Sequence, residues 1–370
     1  MIFLRPGTYT GYCNLEVNAV KIEGMLGAEK TIIDCQGVDR HFHIDGTRNI
    51  TVIGVTLANG YKTDEDGGCI WLTRGVLTLA DSLLVNCSTG RSGGAIHINT
   101  LSILDVRYAY FEDCYASLNG GCLNIKNSTV RMKGTSFRNA RADRIGGDIN
   151  VSPCSLLECV GIRVRILFMK VFMYICCAGA LYLEDISDLR SERGSFFFNN
   201  SASGGGAMAF QGVKIKAEIS NVEFINNRAT GSTDGVCTAG TESLCAGGGA
   251  VLVLDITEVQ LTECKFEDNY SNHSGGALKI SARSEMDAQF TEFKRNEARL
   301  YGGAVRVGVG STFTGSSNSF VGNVGRTGGG GIAFSDSSDG GSLQKSKFIF
   351  DPLTAYLGGP QVISHCINTE

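Results

Sequence analysis

Few residues in this 370-residue chain stand where they could do chemistry. Cleaving a polysaccharide needs two carboxylates at a set separation, or Ca²⁺-binding acids beside a base. Acids cluster at Asp64-Glu65-Asp66, in a turn before Gly67. That triplet reads as a weak Ca²⁺ site or, more simply, as a solvated turn. Asp148 occupies a slot that other segments fill with Ala, and reads as a degenerate repeat or a functional acid. His41, His43 and His97 lack the spacing of metal ligands. Fourteen Cys are many, yet no two form Cys-x-x-Cys, so zinc and thioredoxin-like chemistry lack their motif. No metal and no cofactor is expected.

Composition bounds the elements that must carry these residues. Gly numbers 49 and Pro only 4, while 43% of residues are hydrophobic. Such a chain can bury a core and needs recurrent tight turns. The net charge is −4 and no Lys/Arg stripe forms, which argues against a nucleic-acid partner. The apolar run within Ile162 to Cys177 is broken by Lys170 and is too short to span a bilayer. Asn-x-Ser/Thr sequons start at Asn49, Asn86, Asn127, Asn150, Asn199, Asn269 and Asn272. With the Cys content they favour an oxidising, extracellular or cell-surface setting. Met1 is followed at once by strand and turn residues, with no signal peptide. That start reads as a truncated gene model; an intracellular chain is the alternative.

Self-similarity organises the rest. Gly pairs followed by apolar-x-apolar begin at Gly67, Gly93, Gly120, Gly146, Gly205, Gly248, Gly275, Gly302 and Gly329, with a degenerate copy at Ala178. Seven of the nine spacings fall within one residue of 27. Phe-x-x-Asn precedes at fixed phase, as in Phe266/Asn269, Phe293/Asn296 and Phe320/Asn323. Each unit is too short for a βαβ crossover, so the chain must coil with every strand pairing in parallel with its equivalent one repeat later. The fold class expected is all-β: a right-handed, single-stranded parallel β-helix of about 27 residues per coil. Leucine-rich repeats share that period but need a Leu pattern that is absent here. Phe would stack in ladders, and Asn would stack as an internal amide ladder that satisfies turn backbone.

The whole chain, 1–370, is expected to be one such domain, with a surface loop inserted at 228–247 and an irregular coil at 154–177. The apolar stretch at 160–177 reads as a degenerate coil or as read-through of unspliced DNA. Alternation along the strand after each Gly pair directs one residue per coil outward. These are Trp71, His97, Asn124, Asn150, Tyr182, Ala209, Leu252, Lys279, Arg306 and Ala333, and none is acidic. Trp71, His97, Asn124, Asn150 and Tyr182 form the candidate ligand-binding stripe, suited to glycans or cell-surface proteins; an ordinary exposed strand face is the alternative. Cys237 and Cys245 are candidates to close the inserted loop by a disulfide. Cys87 and Cys114 share a phase one coil apart and are candidates for a second, or a buried reduced pair.

Gly275-Gly276-Ala277-Leu278 with Phe266/Asn269, and Gly302-Gly303-Ala304-Val305 with Phe293/Asn296, resemble the repeats of chlamydial polymorphic outer membrane proteins. Arg5-Pro6-Gly7-Thr8-Tyr9, Thr31 to Gly37 and Asn49 to Leu57 resemble the opening of pectin-lyase-like β-helices. The resemblance covers nearly the whole chain. It implies surface display and adhesion, although the membrane barrel of the bacterial members has no counterpart here. Arg131-x-Lys133 resembles the Arg-x-Lys of polygalacturonases, whose companion motifs are missing. The reading is therefore a non-catalytic extracellular or cell-surface adhesion and ligand-display protein. The alternative is a polysaccharide lyase or glycoside hydrolase on the pectin-lyase-like fold.

Overall fold

The computed structural model describes residues 1–335 except 17–20, 47, 145, 152–155, 161–162, 166–178, 185–187, 193–194, 203, 213–214 and 232–245. It also describes 343–344 and 346–349. Cys237, Cys245, and most of the inserted loop and irregular coil lie outside these residues. The chain divides into two compact units, Met1–Leu167 and Phe168–Glu370. Among the described residues both are built from parallel strands, the β-helix that the 27-residue period demands.

In the first unit each coil contributes to three long sheets. A typical coil runs through Ile70–Thr73, Val76–Ala80 and Leu83–Val85, then a short fourth strand, Ser88–Thr89. Register follows the repeat: Ile70 pairs with Ile96, Ile96 with Leu123, and Leu123 with Ile149. The second unit repeats the scheme through Met208, Val251, Leu278, Val305 and Ile332. Five-residue strands such as Glu258–Thr262 alternate exposed and buried side chains, so Val259 and Leu261 enter the core while Glu258, Gln260 and Thr262 face solvent.

The Gly pair has two separate causes. The first Gly of each pair takes a left-handed backbone, φ 74° at Gly93 and 68° at Gly302. The second has no room for a side chain: a Cβ on Gly94 would lie 2.0 Å from the carbonyl oxygen of Gly121. Successive coils touch backbone to backbone there.

Stacked side chains fill the corners and core. In the second unit Phe197, Phe224, Phe266, Phe293 and Phe320 form a column with ring centroids 4.6–5.2 Å apart. Beside it Asn200, Asn227, Asn269, Asn296 and Asn323 are buried. Asn269 Nδ2 donates to Asn296 Oδ1 and to the Phe224 carbonyl, both at 2.9 Å, while its Oδ1 accepts from the backbone N and Nδ2 of Asn227. The internal amide ladder is thus present in the second unit. A hydroxyl ladder unforeseen from the sequence seals another corner, where Thr257 N donates to Ser284 Oγ at 3.3 Å and Ser284 N to Ser311 Oγ at 3.2 Å.

Candidate functional site

The expected stripe is in register but is not a surface. Trp71 pairs with His97, His97 with Asn124, and Asn124 with Asn150, one per coil. Yet His97, Asn124 and Asn150 are at most 1% exposed, and Tyr182, in the other unit, only 4%. Trp71 is half-buried. The reading of these side chains as outward-facing is corrected. Alternation does separate them from Ile96 and Leu123, but residues ahead of Gly pairs, such as Asp66 and Tyr301, reach across that side of the strand. Asp66 brings a carboxylate to 3.6 Å from His97 Nε2, and Arg306 lies 5.2 Å from the Tyr301 ring. Under that cover the stripe becomes a polar ladder: Asn124 Nδ2 bonds His97 Nδ1 at 2.9 Å, and Asn150 Nδ2 donates to Asn124 Oδ1 at 2.7 Å.

Burial sets the charge states around this ladder. Desolvation pushes His97 down to about 4 against the pull of Asp66, so its imidazole is neutral near neutral pH. Buried Arg40 pairs with Glu65 and lies over the Trp71 ring at 5.1 Å. Glu65 and Asp66 thus link the covering segment to Arg40 and His97. Among the described residues no cluster of His, Cys, Asp and Glu could hold a metal ion. Asp148 is fully buried with no hydrogen-bond partner on either carboxyl oxygen. Desolvation raises its pKa well above the usual carboxylate range, and burial keeps it away from the surface.

The disulfides differ from the expected pair. Cys87 bonds Cys69, with Cα atoms 5.5 Å apart, and Cys114 is a buried free thiol. Side chains in the same phase point the same way, whereas Cys69, in the bend just ahead of the strand Ile70–Thr73, faces Cys87. Gly60 makes room: a Cβ there would lie 2.5 Å from the Cys69 sulfur. A second disulfide, Cys13–Cys35, was not foreseen. Cys237 and Cys245 lie outside the described residues.

An accessible concavity lies on the outside of this same corner of the first unit. Each coil turns there through one left-handed residue: Asn59, Asn86, Asp113 and Asn139, with φ between 53° and 55°. Asn and Asp tolerate that backbone better than other side chains. Their amides link the coils on the outside. Asn59 Nδ2 donates to Asp34 Oδ1 at 2.9 Å, and Asn86 Nδ2 to Asn59 Oδ1 at 3.3 Å. Between this ladder and the short fourth sheet runs an open groove of about 490 Å³, lined by Asp34, Gln36, Gly37, Asn59, Gly60, Tyr61, Asn86 and Ser88. Tyr61 is 38% exposed on its wall. A signal for the groove was legible in the sequence, since Asn or Asp recurs one residue before each slot that carries Gly60, Cys87, Cys114 or Ala140.

No family model matches the chain. Metabotropic glutamate receptor-like protein R of Dictyostelium discoideum is 24% identical over 302 residues, 75% of this chain and 16% of that protein. The chain thus spans about one sixth of that relative's length. Among solved structures, the AlgE6 A-module of the Azotobacter vinelandii mannuronan C-5 epimerase is similar over 94% of this chain and 90% of its own, at 9% identity and a TM-score of 0.28. The catalytic domain of a GH87 alpha-1,3-glucanase is similar over 96% of this chain and 62% of its own, at 9% identity and 0.29. At these scores neither bears on the substrate or chemistry of this chain.

Proposed function

We propose that the first unit recognises an extended polysaccharide along the groove between Asp34, Asn59, Tyr61 and Asn86, as an extracellular, non-catalytic part of a larger surface protein. The observation that carries this reading is the groove itself. Amide and carboxylate groups recur one coil, about 4.8 Å, apart. That step is close to the rise of one sugar along an extended glycan. A half-exposed Tyr61 offers its ring face beside them. Three observations support the surface setting: two disulfides, which belong to oxidising compartments; a relative named receptor-like; and repeats that resemble surface adhesins. Among the described residues no helix is long and apolar enough to cross a membrane.

The test is a polysaccharide array probed with the disulfide-bonded chain and its Tyr61→Ala variant. Binding that falls about tenfold in the variant, some 1.4 kcal/mol, is expected. Undiminished binding by Y61A, or no binding to any glycan, would overturn the reading. A catalytic reading is favoured by Asp34, whose carboxylate lies in the groove. It is the sole acid among the eight lining residues, and a glycosidase needs two. Incubation with pectic and other acidic glycans should therefore give binding without product release. Release lost in Asp34→Asn would establish the enzyme instead.

A further inference from the structure

The seven sequons do not stand alike in the fold. Asn150 and Asn269 are buried and their amides are committed, to Asn124 Oδ1 in one case and to Asn296 Oδ1 and the Phe224 carbonyl in the other. Asn199 and Asn272 are half-buried. Asn49, Asn86 and Asn127 are exposed, at the start of a strand or in a left-handed turn residue, φ 54° at Asn86 and 43° at Asn127. An attached oligosaccharide is bulky and strongly hydrated, so a glycosylated Asn must point to solvent in the folded chain.

We propose that Asn49, Asn86 and Asn127 carry N-linked oligosaccharides, and that Asn150 and Asn269 do not. In the transfer the side-chain amide nitrogen attacks the anomeric carbon of a lipid-pyrophosphate-linked oligosaccharide. An N–C bond forms, the C–O bond to pyrophosphate breaks, and the amide proton leaves to a base of the transferase. No electrons are gained or lost.

Two positions share a corner. Asn49 pairs in register with Val76, Val76 with Ile103, and Ile103 with Thr129, which places Asn49 and Asn127 at equivalent turns three coils, about 14 Å, apart. Between them Leu101 is 77% exposed, and its backbone N donates to the Asn127 carbonyl at 2.7 Å. A glycan on Asn127 would screen this apolar turn. Asn86 stands at the other corner, on the groove wall. A glycan there would compete with any ligand in the groove, a consequence that rests on the function proposed above.

The experiment uses the full chain secreted from eukaryotic cells, cleaved with an amidase that converts glycosylated Asn to Asp, and mapped by peptide mass spectrometry. Conversion at Asn49, Asn86 and Asn127, with Asn150 and Asn269 intact, is expected. Unmodified Asn at the three exposed positions, or conversion at either buried one, would overturn the proposal. Asn127→Gln should remain folded and bind more of a hydrophobic dye than the parent. On the polysaccharide array, the same chain made with N-glycosylation inhibited in the cells, so that Asn86 itself is kept, should bind several-fold more tightly than the glycosylated chain. If neither form binds while the three conversions are present, the groove reading fails and the glycan assignment stands.

Discussion

The first and second units wind by the same rule yet hold their inner corner differently. At the slot six residues before the Gly pair, or its equivalent, the second unit places Asn227, Asn269, Asn296 and Asn323, each donating and accepting from coil to coil. The first unit fills that slot with Gly60, Cys87, Cys114 and Ala140, none of which can build an amide ladder. There a covalent bond, Cys69–Cys87, ties the corner within a single coil instead. The polar ladder of the first unit runs elsewhere, through His97, Asn124 and Asn150 under the covering segment. One backbone therefore accepts two kinds of glue. Small residues at the corner free the first unit to carry a disulfide inside and an amide-lined groove outside.

The largest effect should come from breaking the amide ladder. Asn269→Ala would remove the side-chain partner of the Phe224 carbonyl and of the Asn227 backbone N–H, together with the side-chain donation to Asn296 Oδ1, and should cost about 4 kcal/mol. Cys114→Ala, at the matching slot of the first unit, should cost only about 1 kcal/mol. Equal losses by denaturant titration would erase the contrast. Next, Cys69→Ala with Cys87→Ala opens a link of sequence separation 18 and should cost about 3 kcal/mol, read by hydrogen exchange as loosening confined to the first unit.

Acid should separate the units as well. Burial depresses both His41 and His97 from 6.5 to about 4. The unfolded chain thus binds protons before the native chain does. Their contribution is fully present above about pH 6.5 and is lost as pH falls toward 4, up to about 3 kcal/mol for each. In the second unit Glu267, held near 2 by Lys265, Lys294 and Arg295, loses its contribution only below the ordinary carboxylate range. Exchange at pH 5 should accelerate in the first unit, and His97→Asn should remove part of that sensitivity. The smallest change is opposite in sign. Native Asp148 keeps its proton above the pH at which the unfolded chain releases it, so its presence costs stability as pH rises through the ordinary carboxylate range. Asp148→Ala should stabilise the chain at neutral pH and show no gain in strong acid.

The linear order of residues determined the coil. A 27-residue period, Gly pairs and Phe-x-x-Asn are local patterns, and stacking identical slots satisfies all of them together. Register, the Phe column and the amide ladder follow from that repetition. Alternation told which side chains leave a strand on the same side as Trp71, but only the folded chain decided what lies over them. The cover comes from residues such as Glu65 and Asp66, reaching across the strand that follows. Likewise, phase put Cys87 beside Cys114 in successive coils, while the partner is Cys69, because bonds across a corner join different slots. Repetition is written along the chain; the meeting of unlike slots depends on the backbone's turns in space.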